Sequence, residues 1–304
     1  MDVPRSYGQM LYGHTPFRVG AETYQTWCKV VGDLGAGGRP ILCVHGGGGL
    51  THHYMLVPVI FYDHLGNGES THIPYAPKEV WKAELWVDEL ENLVEHLGIS
   101  NDFNLLGHSW EVDPIHKPSI SGMLSGRFTA TRAPAGLKNL IIASTDTILE
   151  QNPEVAAMIQ KHAEAGTFAD PGYLAGTQVL HKKHFYKMDP MPEDLMTSAM
   201  SITKDPTVFS PMVGPSSYNT VGNLVGWSII DKLHNTTCPV LFISSLHDAV
   251  QPAIIPWFQN INKVKWVELY NSSHLPMFEE PERYFQVIVD FLTRESPNAP
   301  FVTK

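Results

Sequence analysis

Short apolar and β-branched runs recur along this chain, bounded by Gly, Pro or Asp and separated in many places by helical patterns. They occupy residues 24–31 (YQTWCKVV), 41–45 (ILCVH), 59–63 (VIFYD), 103–107 (FNLLG), 140–144 (LIIAS), 240–245 (VLFISS) and 264–270 (VKWVELY). Runs that stay apolar instead of alternating belong to strands covered on both faces, so the pattern predicts a mostly parallel sheet between helical layers. The strand ends are then the natural places for a site.

Residues 78–98 place Val87, Leu90, Leu93, Val94 and Leu97 on one stripe with Gly98 as a stop, which predicts a helix packing one face on the sheet. A closing helix is expected over 280–292, with Pro281 near its start and Phe285, Ile288, Val289 and Leu292 inward. Between about 146 and 232 the strand runs stop. Helical, Pro-punctuated segments such as NPEVAAMIQKHAEAG and DPMPEDLMTSAMS take over, with Asn152 as N-cap and Pro153 at the first helical position. The expected organisation is a core in two parts, 1–145 and 233–304, with a helical cap inserted at 146–232.

Composition narrows the function. A chain of 304 residues accommodates one large α/β domain with an inserted subdomain, or two small domains. Twenty-one Lys and Arg against 31 Asp and Glu give a formal charge of −10, which argues against nucleic acid as a partner and suits a small neutral or cationic substrate. No apolar stretch has the length of a signal peptide core or a membrane helix, so no membrane partner and a cytoplasmic location are expected. Cys28, Cys43 and Cys238 stand in or beside strands at unrelated spacings, as buried reduced thiols do.

The candidate chemistry begins at Gly107-His108-Ser109-Trp110, directly after FNLL. A Ser in a G-x-S context at a strand tip is a nucleophile elbow, a tight turn that exposes Oγ above the sheet. That signal is weak alone, but two partners follow in the chain order this architecture requires. Asp248 lies just past VLFISSLH, where it can orient an imidazole, and His274 follows VKWVELYNSS, where a loop can present it as general base. HGGGG at 45–49 supplies unobstructed backbone N–H groups for a developing oxyanion, with Gly47 and the amide of Trp110 as the pair. No Gly-Lys-Ser/Thr follows those glycines, which excludes a phosphate loop. His45, His52 and His53 could be metal ligands by type but lack a carboxylate at ligand spacing.

With these residues goes a set of longer segments: VIFYDHLGNGES, GMLSGRFTATRAPAGLKNLII, GPSSYNTVGNL and NSSHLPMFEEPERY. Together they resemble the proline iminopeptidase family of α/β-hydrolases, serine peptidase family S33, over nearly the whole chain, and most of all its fungal proline-peptidase and amino-acid-amidase branch. The resemblance implies an α/β-hydrolase fold with a cap, no metal or organic cofactor, and hydrolysis of an amide or short peptide whose acyl part is a small amino acid such as proline. It implies Ser109 as nucleophile, His274 as proton shuttle, Asp248 as its orienting acid, and Gly46, Ser217, Tyr218 and Ala249 at the substrate.

The chain departs from that family in four places. Glu111 stands where the elbow helix needs a glycine, and EVDPIHKPSIS separates Trp110 from GMLSGRF. Only residues 45–58 join two strands whose parallel crossover normally holds a helix. Ser217 and Ala249 occupy positions where the family's aminopeptidases hold a free amine with acids, so a blocked or absent amine is expected to be accepted at least as well. The alternatives are therefore an amidase or esterase of tailoring metabolism, and a non-catalytic homologue that binds a ligand.

Overall fold

The computed structural model describes residues 9–55, 60–109, 124–144, 153–248 and 251–294. Eight strands form one sheet: β1 (Met10–Val19), β2 (Glu22–Val31), β3 (Ile41–Val44), β4 (Ile60–Tyr62), β5 (Phe103–His108), β6 (Leu137–Ala143), β7 (Val240–Ser245) and β8 (Val264–Leu269). Their order is β1-β2-β4-β3-β5-β6-β7-β8. β1, β2 and β4 pair antiparallel, and every pairing from β4 to β8 is parallel.

The continuous apolar runs follow from cover on both faces. Leu42, Val44, Leu105, Leu140, Ile142, Val240 and Phe242 point into one core, while Cys43, Leu106, Ile141, Leu241 and Ile243 point into the other. The first core is closed by α1 (Ala83–His96), α2 (Leu124–Arg132) and α7 (Gln251–Asn260), through Trp86, Leu90, Phe128 and Trp257. The second is closed by α8 (Pro276–Glu279) and α9 (Pro281–Arg294). All three cysteines are buried.

Two local expectations are corrected and one strand is added. β1 was not legible, because it is an edge strand whose residues Met10, Leu11 and Tyr12 stay exposed and carry no burial pattern. The helix expected over 78–98 is broken: a 3-10 turn at Lys78–Val80 is followed by the non-helical Trp81 and Lys82 before α1 starts. The break lets Trp81 turn its ring into the core beside Trp86. In α9 the buried stripe is Tyr284, Val287, Ile288 and Phe291, and Val289 is 52% exposed.

The β3 to β4 connection holds, in its described part, one 3-10 turn at His52–Tyr54, and β4 still pairs parallel with β3 through Leu42 with Ile60 and Cys43 with Phe61. Between β6 and β7 the described residues hold no ladder strand but α3 (Pro153–Ala165), α4 (Pro171–Leu180), a π-helical turn at His181–Phe185, α5 (Glu193–Lys204), α6 (Phe209–Met212) and a 3-10 segment at Ile230–Asn235. Asn152 and the segment 111–121 lie outside the described residues.

Candidate active site

β5 ends at His108, and Ser109 turns out of it with φ of 51°. That left-handed conformation is costly for a residue with a Cβ and marks a turn held by its surroundings. The Ser109 amide donates to the Ala143 carbonyl at the end of β6, at 3.0 Å, which anchors the turn to the neighbouring strand. Its hydroxyl lies 2.8 Å from Nε2 of His274.

The other two groups come from the ends of β7 and β8. Asp248 closes a turn in which its amide donates to the Ser245 carbonyl, and His274 sits on the loop before α8. That loop is tied down by carboxylates of the helices it leads into. Ser273 donates from its hydroxyl to Glu279, and the Asn271 amide donates to Glu280 at 2.9 Å. The Ser272 carbonyl accepts from the His247 amide, so the two loops also hold each other.

Nδ1 of His274 is 2.8 Å from Oδ1 of Asp248. A carboxylate only accepts, so Nδ1 carries the proton and Nε2 is left bare to accept from the Ser109 hydroxyl. Both groups are shut away from water, Asp248 at 0% and His274 at 1% exposure. Burial pushes the Asp248 carboxyl up, while the adjacent imidazole and the Ser144 hydroxyl pull it down. The arrangement can therefore take a proton from Oγ and stabilise the resulting imidazolium beside a buried acid.

The glycine loop after β3 presses on this group. A Cβ on Gly46 would meet the His108 carbonyl oxygen and the Ser109 Cβ, both at 2.8 Å, so only glycine fits against Ser109. The Gly46 amide donates to the Tyr54 hydroxyl at 2.6 Å and is unavailable to an oxyanion. The amide of His64 donates to Nε2 of His45, which leaves His45 Nδ1–H to donate to the Gly46 carbonyl at 3.0 Å. Since a trans peptide points C=O and N–H oppositely, fixing the Gly46 carbonyl also fixes the Gly47 N–H. His45 is neutral in this role, because burial and the adjacent His64 hold it well below the usual imidazole range.

The helical segment between β6 and β7 grips both loops. Ser198 of α5 accepts from the Thr51 amide at 3.0 Å and donates to the Thr51 carbonyl at 3.1 Å, and Ser201 donates to the Gly49 carbonyl at 2.6 Å. On the other side, the His274 amide donates to the His184 carbonyl at 3.0 Å. Phe185 of the π-helical turn stacks on the His274 ring with centroids 4.9 Å apart and planes at 22°. A π-turn shifts the register of side chains within a helix, which is how this ring reaches the imidazole.

Of the residues singled out from sequence, Ser109, His274, Asp248 and Gly46 are brought together, with Gly47 next to Gly46 in the same loop. Tyr218 is buried with Ile159, Tyr173 and Leu180, and a file of rings runs from it towards the imidazole, His181 at 5.6 Å from Tyr218 and then Phe185. Ser217 beside it is half-buried. Trp110 and Ala249 lie outside the described residues. His52 turns its ring onto Asp63 and His53 onto Thr51, and no group of three or more potential metal ligands occurs among the described residues. Sequence reasoning missed Tyr54, His108, Ser198 and Phe185. His108 was in view as the middle residue of G-x-S, and nothing marked the others.

No protein-family model matches the chain. The proline iminopeptidase of Lactobacillus helveticus is 29% identical over 308 residues, 93% of this chain and 98% of the relative. The crystal structure of VinJ is 34% identical with a TM-score of 0.81, over 92% of this chain and 98% of that one. The crystal structure of the Mycobacterium smegmatis proline iminopeptidase is 31% identical with a TM-score of 0.79, over 93% and 98%. The chain belongs to the proline iminopeptidase family of α/β-hydrolases. It is a serine hydrolase of aminopeptidase-like type with the α/β-hydrolase fold. Among the described residues no helix is long and apolar enough to cross a membrane.

Proposed function

We propose that this α/β-hydrolase cleaves the amide that follows an N-terminal proline or other small amino acid, through an acyl-enzyme on Ser109. Oγ attacks the carbonyl carbon as its proton passes to Nε2 of His274, and the carbonyl electron pair becomes an oxyanion facing the N–H groups of Gly47 and Trp110. Collapse breaks the C–N bond, and His274 returns the proton to the departing amine. Water then repeats the sequence in reverse, with His274 as base, and frees the acid. Asp248 keeps the imidazole in the Nδ1–H tautomer and offsets its charge in both halves. Residues 146–232 act as the cap over this site, the substrate is a small molecule or short peptide, and no cofactor takes part.

The observation that carries this reading is the unbroken Ser109, His274, Asp248 hydrogen-bond line, at 2.8 Å in both steps, in a water-excluded setting. A fluorophosphonate probe should label Ser109 of the intact chain and leave Ser109→Ala unlabelled. Folded protein that takes up no label at Ser109 would defeat it. One observation favours a second reading, an amidase or esterase indifferent to a free amine: Ser217 is neutral where the family's aminopeptidases hold an ammonium with an acid. Comparing prolyl and N-acetylprolyl aryl amides separates the two, since the second reading requires the blocked substrate to be cleaved at least as fast.

A further inference from the structure

Four groups line up between the glycine loop and the loop that carries the base. The Gly46 amide is 2.6 Å from the Tyr54 hydroxyl, which is 3.1 Å from Nδ1 of His108; Nε2 of His108 is 2.9 Å from the His274 carbonyl oxygen. Every polar atom in the line is buried.

Chemistry fixes the direction of each bond. A carbonyl oxygen only accepts, so Nε2 of His108 carries a proton. Burial and the neighbouring His274 hold His108 down to about 3, so the ring has one proton and Nδ1 is bare. The Tyr54 hydroxyl must then donate to Nδ1, and its lone pairs are left for the Gly46 amide, which can only donate. The line therefore has one arrangement of protons: Gly46 N–H to Tyr54 O–H to His108 Nδ1, then His108 Nε2–H to the His274 carbonyl.

We propose that Tyr54 and His108 are positioning residues that lock the oxyanion-forming turn and the backbone of the catalytic histidine to one another. Neither touches the reacting atoms. What they set is the distance between two loops that leave different strands, β3 and β8, and share no ladder. The tie is needed because the glycine loop has few side chains of its own to hold it, and the Gly46 peptide lies against Ser109. His108 is well placed for it as the residue before the nucleophile, with its ring edge-on to His274 at 5.1 Å. Through the His274 amide the same backbone continues to the His184 carbonyl, so the elbow, both loops and the cap are joined at one residue.

The proposal rests on the serine-hydrolase mechanism above, and its tests are separable from it. In the unmodified protein with ¹⁵N-labelled histidine, His108 should appear by NMR as the neutral Nε2–H tautomer across the working pH range. An Nδ1–H or charged His108 would overturn the relay, whether or not Ser109 is reactive. With the fluorophosphonate as probe, Tyr54→Phe should lower the maximal rate of phosphonylation about 10- to 100-fold, less than loss of an oxyanion donor itself, with the probe's half-saturation constant unchanged. Adding His108→Gln to Tyr54→Phe should cost little more, because a line once cut does not transmit a second cut. A Tyr54→Phe protein that phosphonylates at the native rate, or that changes only the half-saturation constant, would overturn the proposal. Should that variant fail to fold, the tautomer measurement on the native chain decides alone. Failure of the native chain to label at all would instead strike at the mechanism.

Discussion

The Glu89 carboxyl should take away stability as pH rises from 5 to 8, against the gain from the buried neutral histidines, and Glu89→Gln should remove that one contribution. Glu89 lies on α1 with its side chain fully buried, accepting from the Leu65 amide at 2.9 and 3.1 Å and from the Thr26 hydroxyl. Burial pushes it from 4.5 up to about 8; the two donors oppose this and the nearby Asp63 charge adds to it. His64 Nδ1 is 3.7 Å from Glu89 Oε2, but burial holds His64 down to about 3. Between those values both groups are neutral, so they do not form an ion pair.

The sign follows from proton counting. Between pH 4.5 and 8 the unfolded chain has released the Glu89 proton and the folded chain has kept it, so at this site the unfolded state binds fewer protons and the Glu89 contribution to stability declines with pH. The interval from 4.5 to about 8 is some 3.5 units. At about 1.4 kcal/mol per unit that is a loss of about 3–5 kcal/mol by pH 8. Glutamine has the shape of the protonated acid and still accepts from Leu65 and Thr26, so the variant should match the native protein near pH 5 and exceed it by about 3–5 kcal/mol at pH 8. Urea unfolding of both proteins at pH 5, 6.5 and 8, followed by tryptophan fluorescence, measures this. Taking the difference between the two cancels every other titrating group. A gap that stays constant with pH, or that closes as pH rises, would refute the reasoning.

Two further outcomes test the reacting centre. Asp248→Asn should keep the fold and lower the phosphonylation rate of Ser109 by about 10³- to 10⁴-fold, since an amide can hold His274 in the wrong tautomer; retention of more than a tenth of the native rate counts against the assigned role. Gly46→Ala forces a methyl to within 2.8 Å of the His108 carbonyl and Ser109, and should lower stability by about 1–3 kcal/mol and suppress labelling together, as read by thermal unfolding and the same probe.

The groups proposed to react could be read from sequence because chemistry restricts them: only a few residue types serve as nucleophile, base or acid, and the sheet presents them at strand ends in a set order. Ser109, Asp248 and His274 are of that kind. The supports are not restricted in this way. Any side chain with a polar atom in the right place could hold Gly46, and Tyr54 does so from eight residues away while reaching His108 across 54. Phe185 arrives over the imidazole only because a π-turn shifts its register. In the same way β1, whose pairing with β2 is long but which buries only Thr15 and Phe17, leaves too short a period for a sequence to show.

The segment from Glu111 to Ser121 raised the question of whether the oxyanion turn survives the extra chain, and the two ends that flank it bear on that question. β5 is in register with β6 through His108 and Ala143, and Ser109 bonds back to that strand. α2 resumes at Leu124 with Leu124 and Phe128 in the core under the sheet. Both anchors of the elbow thus stand where the β5, α2, β6 unit requires them, and the Ser109 to His274 distance is that of a formed hydrogen bond. The Gly46 and Gly47 turn, the described part of the proposed oxyanion site, is held by His45 and Tyr54.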